Sequence, residues 1–238
     1  MPEGFYARRG KRWLDAAAAG LLLVLLAPLL GAVALAVRAA LGPGVLFRQV
    51  RAGRGGAPFT LLKFRSMCAP RYAGEPDAAR LTRFGRALRA TALDEAPQLL
   101  NVLRGQMSLV GPRPLPVDYL PRYTPRQAER LRVRPGLAGL AQSRGRNAVP
   151  WPARLEWDAR YAGAVTARGD LMAVLGTLRV LLSGRGVNAP GHATMPELPP
   201  KASHQAPRQA KHHARRPPGH SDRPGAHRGA RRGRAGPP

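Results

Sequence analysis

The chain has 238 residues, room for one substantial domain and a tail, and its 39 Lys and Arg against 13 Asp and Glu give a formal charge of +26. Such an excess implies an anionic partner, whether nucleic acid, an anionic membrane face or a phosphorylated substrate. The lone Cys68 excludes an internal disulfide and a cysteine-based metal site, in keeping with a reducing compartment.

Residues 16–37 are an uncharged run of mostly Leu, Ala and Val with Pro28 near its middle. If straight, it would cross a bilayer core at roughly 1.5 Å per residue. Arg8, Arg9, Lys11 and Arg12 precede it, and Arg38, Arg48, Arg51 and Arg54 follow. Basic flanks favour the cytoplasmic side, so a straight span strands one cluster on the wrong side. A helix broken at Pro28, entering and leaving by one leaflet, satisfies both flanks. A straight span and a cleaved signal peptide are the alternatives, the latter disfavoured because the run exceeds the usual ~7–15 residues.

Two β-like runs, 45–50 and 58–64, flank a connection in which Gly53, Gly55 and Gly56 permit positive φ, predicting a small β-hairpin. The same glycines could cradle phosphate, although their spacing is not that of a nucleotide-binding loop. Helical patterns follow at 78–89, 96–104, 116–131, 152–161 and 171–182. The predicted fold class is therefore α+β, mostly helical. Residues 1–41 form a basic flank and re-entrant membrane helix, 42–189 a compact cytoplasmic domain, and 190–238 a tail. Residues 191–238 hold all six histidines, no aromatic residue and many Pro, Arg, Gly and Ala, a composition that predicts disorder. Its ten Lys and Arg suit a tether to anionic lipid or nucleic acid, while His212-His213 has no fixed metal-ligand geometry.

Asp94 and Glu95 are the one adjacent pair of acids, set just before an apolar helical run. An Asp there can cap free N–H groups, and a first-turn Glu suits the helix dipole. Arg83, Arg86 and Arg89 on the preceding helix and Arg113 in a Pro-bracketed loop point further. Cations hold a carboxylate ionised, as a nucleophile or Mg²⁺ ligand requires, and neutralise phosphoryl oxygens. The prolines of Gly111-Pro112-Arg113-Pro114 stiffen the loop, so Arg113 loses less freedom on binding phosphate. Arg144-Gly145-Arg146-Asn147 fits an anion contact or a solvated basic loop equally well. Trp151, Trp157 and Tyr161 are helix neighbours suited to packing or to an interface. Asp158 is the one other acid with a claim on the site.

Several of these stretches recur in order in one family. Lys11-Arg12 with Asp15 precedes the apolar helix. Phe47 to Gly53, Lys63-Phe64-Arg65-Ser66-Met67, Leu81 to Gly85, Leu93 to Gln98 and Met107 to Pro114 follow, then Arg134-Pro135-Gly136, Gly145-Arg146-Asn147 and Trp151. Residues 8–186 closely resemble the bacterial sugar transferases, the monotopic phosphoglycosyl transferases, in their small form. The resemblance implies an inner-membrane enzyme, its catalytic domain on the cytoplasmic face, with a re-entrant helix and Mg²⁺. It would move a sugar-1-phosphate from a nucleoside diphosphate sugar, usually a UDP-sugar, to polyprenyl (undecaprenyl) phosphate through a covalent phosphosugar intermediate. Such a step starts exopolysaccharide or glycoconjugate synthesis, with downstream glycosyltransferases as partners and no specific nucleic acid. By motif, Asp94 would be the nucleophile and a Mg²⁺ ligand, and Glu95 its catalytic partner. Lys63, Arg65, Arg89, Arg113 and Arg146 would hold phosphoryl oxygens, with Asp158 in support. Ala27 stands where the family often has Ser before the Pro, Ser66 replaces a usual Thr, and 140–143 lacks a Trp-containing version. The rival reading, motivated by charge and tail, is a membrane-anchored basic nucleic-acid-binding protein.

Overall fold

In a computed structural model, which describes residues 5–184, 186 and 195–201, the apolar run and its basic flank become one helix, α1 (Lys11–Leu41). The break expected at Pro28 is absent from its secondary structure. Proline removes one N–H from the ladder, and the apolar turns on either side continue the helix. Among the described residues α1 is the helix long and apolar enough to cross a membrane.

Polar contacts fix both ends of α1. At its start, Arg12 donates to the carbonyls of Val102 and Leu103, both at 2.7 Å. Asp15, buried, accepts from Ser108 Oγ at 2.6 Å and Leu109 N at 3.2 Å. Lys11 Nζ meets Asp170 at 2.5 Å, where Tyr6 and Tyr161 also donate their hydroxyls. At its end, Arg65 donates to the carbonyls of Leu41 and Gly42, satisfying acceptors that a helix C-terminus leaves free. Between these anchors Leu21, Val24, Leu25, Leu29 and Leu35 are exposed.

The hairpin forms as expected. Strand β1 (Leu46–Ala52) pairs antiparallel with β2 (Pro58–Phe64), with Leu46 opposite Phe64 and Ala52 opposite Pro58. Gly55 and Gly56 take positive φ in the connection. The pattern at 78–89 resolves into α2 (Asp77–Arg80) and α3 (Arg83–Ala90), separated where Thr82 turns extended to cap α3 through Gly85 N. Helix α4 (Gln98–Leu103) follows the acidic pair. The stretch 116–131 is not one helix. A 3₁₀ segment, Val117–Arg122, runs through Pro121; Thr124 and Pro125 then start the short α5 (Pro125–Ala128), and a second 3₁₀ turn follows.

A second sheet was not legible in the sequence: β3 (Ser108–Val110) pairs in parallel with β4 (Gly136–Ala138). Three-residue strands are too short for a period-2 pattern to register. Helices α6 (Trp151–Gly163) and α7 (Ala167–Leu182) complete the domain.

The core lies where α1, β2 and α4 meet. Ala19 of α1 packs with Phe59, Leu61, Leu99, Val102 and Met107, and farther along α1 Val33 and Val37 pack with Phe64 and Leu88. Asn101, fully buried, locks α4 to β2. Its side chain accepts from Leu62 N at 3.1 Å and donates to the Thr60 carbonyl at 2.8 Å, so the polar group is satisfied. Residues 195–201, counted with the tail in the sequence reading, pack on the domain, because Leu198 there is fully buried beside Trp151 and Leu155. The remainder of the tail, with every histidine, lies outside the described residues.

The β3 to β4 crossing leaves no room for a side chain at Gly136, where a Cβ would come within 2.0 Å of Gly111 N. Gly136→Ala is expected to lower stability by about 2 kcal/mol or more, read as a fall in the unfolding midpoint in detergent.

Candidate active site

The chain reverses sharply before the acidic pair. Ala92 takes a left-handed conformation (φ 57°), unusual for a residue with a Cβ, and starts the 3₁₀ turn Leu93–Glu95. The turn carries Asp94 inward to 5% exposure. Capping is not its role. Helix α4 has Pro97 at its N-cap and no side-chain cap.

Glu95 points at Arg113 and takes both arms of its guanidinium, Nη2 to Oε1 at 2.6 Å and Nη1 to Oε2 at 3.3 Å. This fork uses the planar geometry of Arg. Burial opposes ionisation of Glu95, but the Arg113 charge and hydrogen bonds, with Lys63 and Arg146 nearby, outweigh it and hold the carboxylate below its usual range.

Asp94 differs. Among the described residues no side chain hydrogen-bonds its carboxylate. Burial, then the neighbouring Glu95 charge, push its pKa up to about 6 against the pull of Lys63, Arg89 and Arg113. The sequence led to the expectation that cations would hold Asp94 ionised. Those cations are there, and desolvation wins.

Lys63 of β2 stands over the Phe47 ring at 5.1 Å, its pKa lowered by burial and raised in part by Asp94. Arg89 ends α3 and donates Nε to Ser66 Oγ at 2.9 Å. Gly85 makes this approach close, since a Cβ there would fall 1.8 Å from the Ser66 carbonyl oxygen. Arg146, itself left-handed at φ 49°, donates Nη2 to the Arg89 carbonyl at 3.2 Å and acts electrostatically on Glu95 and Asp94.

The structure thus gathers Lys63, Arg89, Arg113 and Arg146 around the pair. Arg65 it places elsewhere, at the end of α1, and Arg83 and Arg86 are exposed. Asp158 stands one step back. It forms a buried salt bridge with Arg130 (Nη2 to Oδ2, 2.8 Å), and Arg130 also donates to the Arg113 carbonyl at 2.5 Å. The pair therefore braces the loop carrying Arg113.

Arg51 and Arg154 were missed. Arg154 is buried and Arg51 half-buried, and desolvation followed by the Arg113 charge pushes each down to about 10. Arg51 Nε, Arg154 Nε and Arg146 Nη1 are buried without a hydrogen-bond partner. Neither residue carries a composition signal that separates it from the other arginines. Guanidinium nitrogens that find no acceptor among the described residues suit an anion with several oxygens.

No group of three or more His, Cys, Asp or Glu able to hold a metal occurs among the described residues. With Glu95 engaged by Arg113, Asp94 is the carboxylate left for a cation. One carboxylate suits Mg²⁺, which keeps several waters and shares substrate phosphate oxygens.

The profile of the bacterial sugar transferase family matches residues 6–184. The chain belongs to this family. The transferase is 44% identical over 187 residues to the uncharacterized sugar transferase EpsL of Bacillus subtilis, covering 77% of this chain and 93% of that protein. It is 54% identical over 145 residues to a UDP-glucose:undecaprenyl-phosphate glucose-1-phosphate transferase of Caulobacter vibrioides, covering 57% of this chain and 54% of that protein, about half its length. The exopolysaccharide production protein ExoY of Rhizobium meliloti is 36% identical over 196 residues, covering 74% and 87%.

Removing one partner of a buried ion pair strands the other. Asp158→Ala is expected to cost about 3–5 kcal/mol in the unfolding free energy, whereas Asp158→Leu combined with Arg130→Met recovers most of it. Equal losses for the single and double variants, measured by denaturant titration in detergent, would contradict this.

Proposed function

We propose that the enzyme transfers a sugar-1-phosphate from a UDP-sugar to undecaprenyl phosphate through a covalent intermediate on Asp94. The observation that carries this reading is a buried carboxylate without a hydrogen-bonding side chain, beside a second carboxylate locked to an arginine, inside a ring of cations. The Caulobacter relative is named for this transfer with UDP-glucose, and a Salmonella typhimurium relative, 36% identical over 196 residues, is named an undecaprenyl-phosphate galactose phosphotransferase. The nucleic-acid alternative accounts for neither the acidic pair nor the family.

In the first half-reaction an Asp94 oxygen attacks the phosphorus that bears the sugar. The bond from that phosphorus to the bridging oxygen breaks, and UMP leaves with the electron pair. In the second, an oxygen of the lipid phosphate attacks the same phosphorus, and the bond to Asp94 breaks. The products are a polyprenyl diphosphate sugar and the regenerated carboxylate. Lys63, Arg89, Arg113 and Arg146 stabilise charge on the phosphoryl oxygens, and Glu95 orients Arg113. Mg²⁺, held by Asp94 and donor oxygens, would neutralise further charge on the diphosphate.

A water-soluble donor and a lipid acceptor must meet at one place. Both ends of α1 are bonded to the same domain, while its middle presents bare Leu and Val. With α1 unbroken at Pro28, that arrangement favours a helix lying in one leaflet beside the domain, its bare Leu and Val in lipid, over one whose ends lie on opposite sides. The domain then sits on the cytoplasmic face, where the transfer would begin an exopolysaccharide or glycoconjugate.

Asp94→Asn is expected to reduce transfer by at least about 10³-fold. Incubating wild type with UDP-sugar but no lipid acceptor should leave a phosphosugar on the peptide containing Asp94, visible by mass spectrometry. Near-normal turnover by the variant would overturn the mechanism.

Attack needs the ionised carboxylate, so kcat/KM for the donor should rise with pH through about 6. Stability runs the other way. With the folded pKa above the ordinary 3.8, the stabilisation from the protonated form is full below about 4 and is lost as pH rises through about 6. At pH 7.5 Asp94→Asn should therefore melt at or above wild type. A clear fall in its midpoint would show that the ionised carboxylate is a stabilising element.

A further inference from the structure

The family match ends at residue 184, yet residues 195–201 lie against the domain next to the site. Leu198 fills an apolar seat with Tyr119, Trp151 and Leu155. Trp151 donates its indole N–H to the Pro196 carbonyl at 3.1 Å, and Arg122 donates to the Leu198 carbonyl. Arg154, covered by this segment, directs Nη2 to Met195 Sδ at 3.7 Å and to the carbonyl of Arg146.

A continuous path therefore runs from the segment through Arg154 to Arg146. Arg146 is left-handed, a conformation unfavourable for a residue with a Cβ, so something must hold it there. The hydrogen bond from Arg154 to its carbonyl is one restraint, beside Arg146 Nη2 on the Arg89 carbonyl at 3.2 Å and Asn147 N on the Gly186 carbonyl at 3.0 Å, and it is the one the segment covers. Such a bond is strong while water is kept away and weakens once water can compete for both groups.

We propose that residues 195–201 are a positioning strap: by covering Arg154 they hold the turn that presents the Arg146 guanidinium to the diphosphate of the donor. The donor half rests on the function proposed above, whereas the positioning half does not depend on it. Arg154 and Leu198 touch no reacting atom and act through Arg146.

The test uses the full chain in nanodiscs, with two readouts: hydrogen exchange at residues 145–148 and calorimetric titration with UDP. Leu198→Asp places a charge in the apolar seat and should release the strap. It is expected to speed exchange at 145–148 selectively and weaken UDP binding about tenfold, the scale of one charge-assisted contact. Leu198→Met, which keeps the seat filled, should behave as wild type in both.

Unchanged exchange at 145–148 in Leu198→Asp would overturn the proposal, as would a uniform rise across the whole domain. If Leu198→Asp fails to fold, Trp151→Phe, which removes the indole donor, decides on the same readouts: faster exchange at 145–148 supports the strap and unchanged exchange overturns it. Should wild type itself bind no UDP while exchange still responds to the strap, the donor reading fails and the positioning role stands.

Discussion

The structure depends on how it manages positive charge that cannot all face water. Lys63, Arg51, Arg89, Arg113, Arg130, Arg146 and Arg154 converge on one region that offers three carboxylates. Glu95 is committed to Arg113 and Asp158 to Arg130. What remains is a field of cations around Asp94, with guanidinium nitrogens still lacking partners. The protein's own carboxylates leave this field uncompensated, as a receptor for an anion with several oxygens would. The cations thus lie close to Asp94, yet among the described residues no side chain hydrogen-bonds its carboxylate.

Supporting this arrangement is a chain of short-range devices, each with a local physical cause. The left-handed turn at Ala92 aims Asp94 inward, and the close contact at Gly85 sets Ser66 against Arg89. The buried Arg130 to Asp158 pair braces the backbone of Arg113. Helix α4 carries Leu99 and Val102 into the core and Asn101 onto β2, which ties the acidic turn to the strand bearing Lys63. The long apolar helix α1 packs on the same elements, so it and the acidic turn share one core.

Much of this was legible in the sequence where the signal is local. The acidic pair, the Gly-rich hairpin and the apolar helix each carry a pattern within a few residues, and the structure shows them. The uninterrupted helix at Pro28 was not legible, because a proline can end a helix or cost it one hydrogen bond, and the residue type alone does not say which. The parallel β3 to β4 pair failed for length. The bond from Arg65 to the end of α1 was not legible, because that partner is a tertiary neighbour more than twenty positions away. Arg154 hid among many arginines, and its role depends on residues more than forty positions away.

The anchoring of α1 also has a temporal side. Its first turns are held by Ser108, 93 positions downstream of Asp15, and by Asp170, 159 positions downstream of Lys11. At roughly 5–20 residues per second, a ribosome makes the apolar helix many seconds before it makes those partners. During that interval the helix has no domain to rest on, and the bilayer is the one apolar environment within reach. If the helix enters the bilayer in that interval, insertion precedes folding of the domain, which then closes over a helix already in place.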